Sequence, residues 1–120
     1  MFKIKSILLC LMTLIFTSSA WAKEYWIDTS GKVFQIATYA TTETILVYLD
    51  TSGSDVAECS DKQAFAISNT LSSEARSRMY SMLLAAKTAG TPVTVSYTNV
   101  GSCEVWGTNN SAYRRIMRLM

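Results

Sequence analysis

The chain has 120 residues, a formal net charge of +2, three cysteines and no histidine. One domain is the expectation at that length. The missing histidine excludes Ser-His-Asp and Cys-His mechanisms and any histidine zinc site, and the small net charge offers no basic surface for nucleic acid or anionic lipid.

The first segment is "MFKIKSILLCLMTLIFTSSAWA". Lys3 and Lys5 precede an apolar run from Ile7 to Phe16, and Ala20, Trp21 and Ala22 make an A-x-A cleavage pattern. Residues 1–22 therefore read as a secretory signal peptide, cut near Ala22. The apolar run is about ten residues, whereas a helical span needs about 20, so no membrane span is expected. Cys10 follows Leu9, where a lipoprotein signal would place a small residue. Residues 23–120 are then one secreted or periplasmic domain, near neutral once Lys3 and Lys5 are gone. Cys59 and Cys103 remain, and in an exported domain they most simply form one disulfide. A loop of roughly 45 residues closed this way contributes about 4 kcal/mol in the chain-entropy picture.

Along the mature chain, "KEYWIDTS" carries two adjacent aromatics and reads as a short extended piece. "GKVFQIATYA" alternates, with Val33, Gln35, Ala37 and Tyr39 on one face and Phe34, Ile36 and Thr38 on the other. "ETILVYLD" is rich in β-branched and aromatic residues and follows a hairpin-sized link. "TSGSDVAECSDKQ" is turn and loop chemistry. "AFAIS" reads as a third strand. A helix follows, with Leu71, Ala75, Met79, Met82, Leu83 and Ala86 in one apolar stripe. Thr70 and Ser72 are both candidate N-caps. Glu74 and Lys87 suit the helix dipole, and Gly90 with Pro92 ends the helix sharply. "VTVSY" is a fourth strand, "TNVGSCEVWGTNNS" a loop with an extended piece near Val105, and "AYRRIMRLM" a fifth strand with solvated basic side chains.

Three strands, a helix and two strands is the order of the OB-fold, a five-stranded Greek-key barrel. The helix between strands three and four would plug the open end of the barrel. The alternative architecture is a split α+β sheet with one helix packed on it.

No phosphate, dinucleotide or metal motif is present. Asp50, Asp55, Glu58 and Asp61 fall in and around one loop, and a small hydrolase using two of them is the least favoured reading. The "DTSGSD" stretch lacks the glycine and terminal glutamate of a calcium loop. No catalytic residue, metal or cofactor is assigned, and the chain is read as a non-enzyme. OB barrels commonly bind oligosaccharides or oligonucleotides, and a near-neutral exported barrel favours sugars. The candidate ligand-binding residues are Trp26 and Trp106, read as lying outside the regular strands, with Asn109 and Asn110 beside Trp106 as hydrogen-bonding partners.

The layout, together with "SRMYSMLLAAKTAGTPVTVSYT", resembles the B subunits of bacterial AB toxins, in the subtilase-cytotoxin and pertussis-like branch. The resemblance implies a homopentamer around a helix-bordered pore, a glycan-binding outer surface and a catalytic A subunit docked on one face. No sugar-contacting residue of that branch is transferred to a position here. The alternative function is a periplasmic protein-interaction module, such as an inhibitor or stress protein, that binds its partner through a barrel edge.

Overall fold

The computed structural model describes residues 23–120. The expected signal peptide, residues 1–22, lies outside the described residues. The elements are β1 (Trp26–Tyr39), β2 (Thr42–Leu49), β3 (Ala64–Ile67), α1 (Ser73–Ala89), β4 (Pro92–Thr98), β5 (Cys103–Trp106), β6 (Asn109–Arg115) and β7 (Arg118–Leu119). They form a mixed sheet of seven strands in the order β5-β6-β3-β2-β1-β4-β7. The β3–β6 pair is parallel and the others are antiparallel. The fold is thus mainly β with a single helix among the described residues, as the sequence pattern implies. The strand count is seven rather than five.

Three differences explain the change. "KEYWIDTS" and "GKVFQIATYA" run together as one strand, with Trp26 as its first residue, rather than as a short extended piece and a separate strand. The loop around Val105 is a true strand, β5, ending at Trp106. The final segment is two strands, separated by Ile116 and Met117. Glycine, serine and asparagine around β5 hid it, because they mark turns more strongly than four residues mark a strand.

β1 serves two neighbours. Trp26–Lys32 pairs with β4, and Val33–Tyr39 pairs with β2. The handover lies between Lys32 and Val33, just after Gly31, where a Cβ would come within 2.6 Å of Asp50 Oδ1 and 2.8 Å of Thr51 Cγ2. A side chain here would collide with those of Asp50 and Thr51, and glycine avoids the clash. Phe34 then bulges out, because Val33 and Gln35 oppose the consecutive residues Leu49 and Tyr48. A bulge adds one residue and reverses the inward parity. Val33 therefore faces the core along with Ile36, and not with Gln35, Ala37 and Tyr39 as simple alternation implies.

The core gathers Val47, Leu49, Phe65, Ile67, Val95, Tyr97 and Ile116 from the strands and Leu83 and Ala86 from the helix. Ser72 caps α1, its Oγ accepting from the Ala75 N–H at 3.1 Å, and Gly90 follows the last turn with φ 69°. Thr70 instead lies beside Ser68, 2.7 Å between hydroxyls. Leu71 and Met79 pack against the core, but Met82 is exposed, as is Leu84. The helical stripe is narrower than the sequence suggests, because α1 lies along β1 and β4 and presents little more than one edge to them.

The segment between β6 and β7 bonds two strands that are not neighbours in the sheet, β3 and β4. The Ile116 N–H donates to Ala66 O on the β3 side at 2.9 Å, and the Met117 N–H donates to Ser96 O on β4 at 2.8 Å. Cys59 and Cys103 are joined, with Cα atoms 5.5 Å apart and a sequence separation of 44. The bridge ties the loop at 50–63 to β5. That loop also runs beside β6, with the Ser60 and Asp61 N–H groups donating to Ser111 O and Ala112 O. No helix among the described residues is long and apolar enough to cross a membrane.

Candidate functional site

Aromatic residues collect on the side of the sheet away from the core. Glu104 opposes Tyr113, Gln35 and Ala64 both oppose Tyr48, and Ala66 opposes Leu46. Side chains at opposed positions share a face. On this face Ala64, Ala66 and Leu46 are buried although they lie outside the main core cluster, so larger side chains roof them.

Trp106 is the centre of the roof. Its ring lies 4.9 Å from Tyr39 at 73° and 5.4 Å from Tyr113 at 90°. Phe34 and Tyr48 form a further pair at 5.9 Å. Edge-to-face contacts of this kind satisfy the ring quadrupoles. They also make a cornered surface, in which one ring is floor and the next is wall. Tyr39 reaches Trp106 because it ends β1 at the tip of the β1–β2 hairpin. A shallow depression of about 270 Å³ between this tip and the β5–β6 turn is lined by Thr41, Thr42, Val105, Trp106 and Gly107. Gly107 has φ 60°, and no non-glycine residue has positive φ among the described residues. That is the pattern of a two-residue type II′ hairpin turn, with glycine at its first central position. The turn, and the disulfide at the other end of β5, hold the indole in place.

Asp61 lies at the rim of this strip. Its Oδ1 accepts from the Gln63 and Ala64 N–H groups at 2.9 and 2.7 Å. Its own N–H donates to Ala112 O at 2.8 Å. It therefore sits between Tyr48, the partner of Ala64, and Tyr113, the neighbour of Ala112. Burial pushes both phenols above their ordinary value, with the Asp61 charge and neighbouring tyrosines adding to it. Among the described residues, none of the Tyr39, Tyr48 and Tyr113 hydroxyls lacks both a partner and access to solvent.

The two tryptophans do not share a site. Trp26 lies at the start of β1 on the β4 side, exposed, with the Arg118 guanidinium 5.3 Å from its ring centre. Arg118 Nη2 is in turn 3.6 Å from Asp28 Oδ1. Both tryptophans belong to strands, contrary to the sequence reading. Asn109 is committed locally: its Nδ2 donates to Ser60 Oγ at 2.8 Å and its Oδ1 accepts from the Ser111 N–H at 3.0 Å. Asn110 is exposed on β6. Tyr39, Tyr48 and Tyr113 were not singled out as site residues in the sequence, and Asp61 was named only as one of four loop carboxylates. Their signal is tyrosine on the polar-facing parity of three different strands, and it becomes readable only once register is known.

Two of the other loop carboxylates, Asp50 and Glu58, are each engaged with a separate backbone N–H. Asp50 Oδ1 accepts from the Lys32 N–H at 2.9 Å, and Glu58 Oε2 accepts from the Gly101 N–H at 2.6 Å. No group of three or more metal-ligating side chains occurs among the described residues.

Two buried charges complete the surroundings. Glu104 is fully buried and accepts from Thr44 Oγ1 at 2.8 Å, Ser68 Oγ at 2.9 Å, the Asn69 N–H at 2.8 Å and Arg115 Nε at 2.8 Å. Burial alone raises its carboxyl. The bonds from Asn69, Arg115, Thr44 and Ser68 together outweigh that effect and hold it below its ordinary value. Arg114 is also buried, which corrects the expectation of a fully solvated basic tail. Its guanidinium lies 4.1 Å from the Phe65 ring centre and donates to Ser52 O and Ser54 O at 2.6 and 3.0 Å.

No protein-family model matches the chain, and comparison with curated proteins and with solved structures likewise finds no match.

Proposed function

We propose that this protein is an exported, non-catalytic binding module of OB-like fold that recognises glycans on its outer aromatic strip. The observation that carries the reading is the cornered set of rings in which Trp106 lies 4.9 Å from Tyr39 and 5.4 Å from Tyr113, with Trp106 and Tyr113 on a disulfide-anchored hairpin. A sugar ring has an apolar face that stacks on one aromatic ring, while its hydroxyls need nearby donors and acceptors. The phenol hydroxyls of Tyr39 and Tyr113, whose rings flank Trp106, offer these.

The OB-like assignment is supported by three features. β1 pairs with both β2 and β4, β3 runs parallel to β6, and the helix falls between β3 and β4. The segment from β6 to β7 contacts both β3 and β4, as the last strand of an OB-like barrel would. The toxin-B resemblance extends the proposal to a homopentamer that docks a catalytic subunit. Native mass of the purified protein tests that extension. A fivefold mass supports it, and a monomer removes it.

The test of glycan recognition is an array of immobilised glycans probed with wild type and Trp106→Ala. Wild type binds and the variant loses at least about tenfold in affinity, the scale of one good ring contact. Equal binding by both would move the site elsewhere, and Trp26→Ala is then the next variant. A protein-interaction module is the second reading. It is favoured by the exposed Val105 on the end strand β5, an edge open to an added strand. Pull-down with Val105→Lys as control addresses it.

A further inference from the structure

Trp26 stands apart from the aromatic strip, toward the other end of the strand order. Trp106 is on β5, whereas Arg118, the partner of Trp26, is on β7. Ile27, Val95 and Tyr97 pack in or against the core, so Trp26, Asp28, Ser30, Thr94 and Ser96 share the opposite face. There the register sets Asp28, Ser96 and Arg118 in one row across β1, β4 and β7, with Ser30 and Thr94 in the next.

Ser96 is buried and fixes both charges. Its Oγ donates to Asp28 Oδ1 at 2.6 Å and accepts from Arg118 Nε at 3.3 Å. The charged side chains are half exposed, and Arg118 Nη2 stands 3.6 Å from Asp28 Oδ1, beyond hydrogen-bond reach. Such a pair adds little to stability. Among the described residues, Asp28 Oδ2 and Arg118 Nη1 make no hydrogen bond. An acceptor and a planar donor fork are thus held side by side with valences left open. Beside them is an indole that is 52% exposed, its ring centre 5.3 Å from the guanidinium. Ser30 Oγ and Thr94 Oγ1, 2.6 Å apart, add two hydroxyls at the border.

A ligand for this set needs an apolar face and adjacent polar groups that both donate and accept. A vicinal diol meets that need: one hydroxyl donates to the carboxylate and its neighbour accepts from the guanidinium, each bond charge-assisted. Resting on the glycan reading above, we propose that Trp26, Asp28 and Arg118 form a second carbohydrate site, which takes one pyranose through a vicinal diol. A single indole offers less stacking area than the corner around Trp106, so this site is the weaker of the two. Each chain then holds two glycan ends at separate places, and attachment to a dense glycan surface gains from both.

The purified protein is to be tested on arrayed galactose-, glucose- and mannose-terminated glycans. Trp106→Ala is expected to keep residual binding, at least about tenfold below wild type, that the added Trp26→Ala abolishes. In the Trp106→Ala background, Asp28→Asn and Arg118→Lys should each lower the residual affinity about tenfold, the scale of one charge-assisted bond. Neither should move the thermal midpoint, whereas a purely structural ion pair would shift the midpoint and leave binding alone. A 3-deoxygalactose terminus, which has no vicinal ring diol, should bind the Trp106→Ala protein as weakly as galactose binds those variants. Loss of all binding in Trp106→Ala, or residual binding untouched by Trp26→Ala, Asp28→Asn and Arg118→Lys, overturns the second site and leaves glycan recognition standing. Binding of wild type to no glycan at all overturns both.

Discussion

Glu104 and Arg114 lie one register step apart on the β5–β6 hairpin, on opposite faces, and both are buried. Glu104, on the outer face, has a charged partner and three further donors. Arg114, on the inner face, has backbone carbonyls and two aromatic rings, Phe65 and Tyr97, but no carboxylate. Its Nε has no partner, the one such buried side-chain atom among the described residues. A small negative group can be fully satisfied by converging hydroxyls and N–H groups. A wide, delocalised cation can be held by carbonyl dipoles and π faces instead. The outer charge should therefore be the costlier of the two to disturb, since removing it strands a cation and several donors together.

The sharpest break in this comparison is Glu104→Ala. It leaves Arg115, Thr44, Ser68 and the Asn69 N–H unpaired and should cost up to about 5 kcal/mol in urea unfolding. Removing the disulfide with Cys59→Ala and Cys103→Ala comes next, at about 4 kcal/mol. The bridge joins the strand of Glu104 to the loop whose carbonyls hold Arg114. Hydrogen exchange should therefore accelerate over residues 52–61 more than at Asn69. Arg114→Met should cost less, about 1–3 kcal/mol, because only dipoles lose their partner while the new side chain still fills the core. A larger loss than for Glu104→Ala would reverse the comparison.

Acid sharpens the same contrast. Folding holds the Glu104 carboxyl below its ordinary value of 4.5. The stability it contributes is complete above that value and is lost as pH falls through the lower folded value. Glu104→Gln should flatten the acid limb of the stability curve, and Arg114→Met should leave its shape unchanged. The smallest effect is expected from Met82→Ser on the exposed side of α1, within about 0.5 kcal/mol by thermal melt.

The helix was legible in the sequence because its signals are local. Ser72, Gly90 and Pro92 act within a turn of their own positions. Cys59 and Cys103 were legible by elimination, and Trp106 by its place beside a cysteine. Glu104 and Arg114 were not, since alternation reads a charge as outward and only a three-dimensional set of partners makes burial tolerable. The continuity of β1 was missed because Asp28, Ser30 and Gly31 look like a break between two extended pieces when read alone. Tyr39, Tyr48 and Tyr113 stand on three strands, and nothing short of the β1–β2–β3–β6 register brings them to one face.

The segment from Asn109 to Leu119 touches β3, β4 and β5 alike. Those contacts span much of the chain, so their closure entropy falls due late in folding. Until that segment has formed, β3, β4 and β5 each lack a neighbour, so a truncation before Asn109 would leave all three with open edges rather than β5 alone.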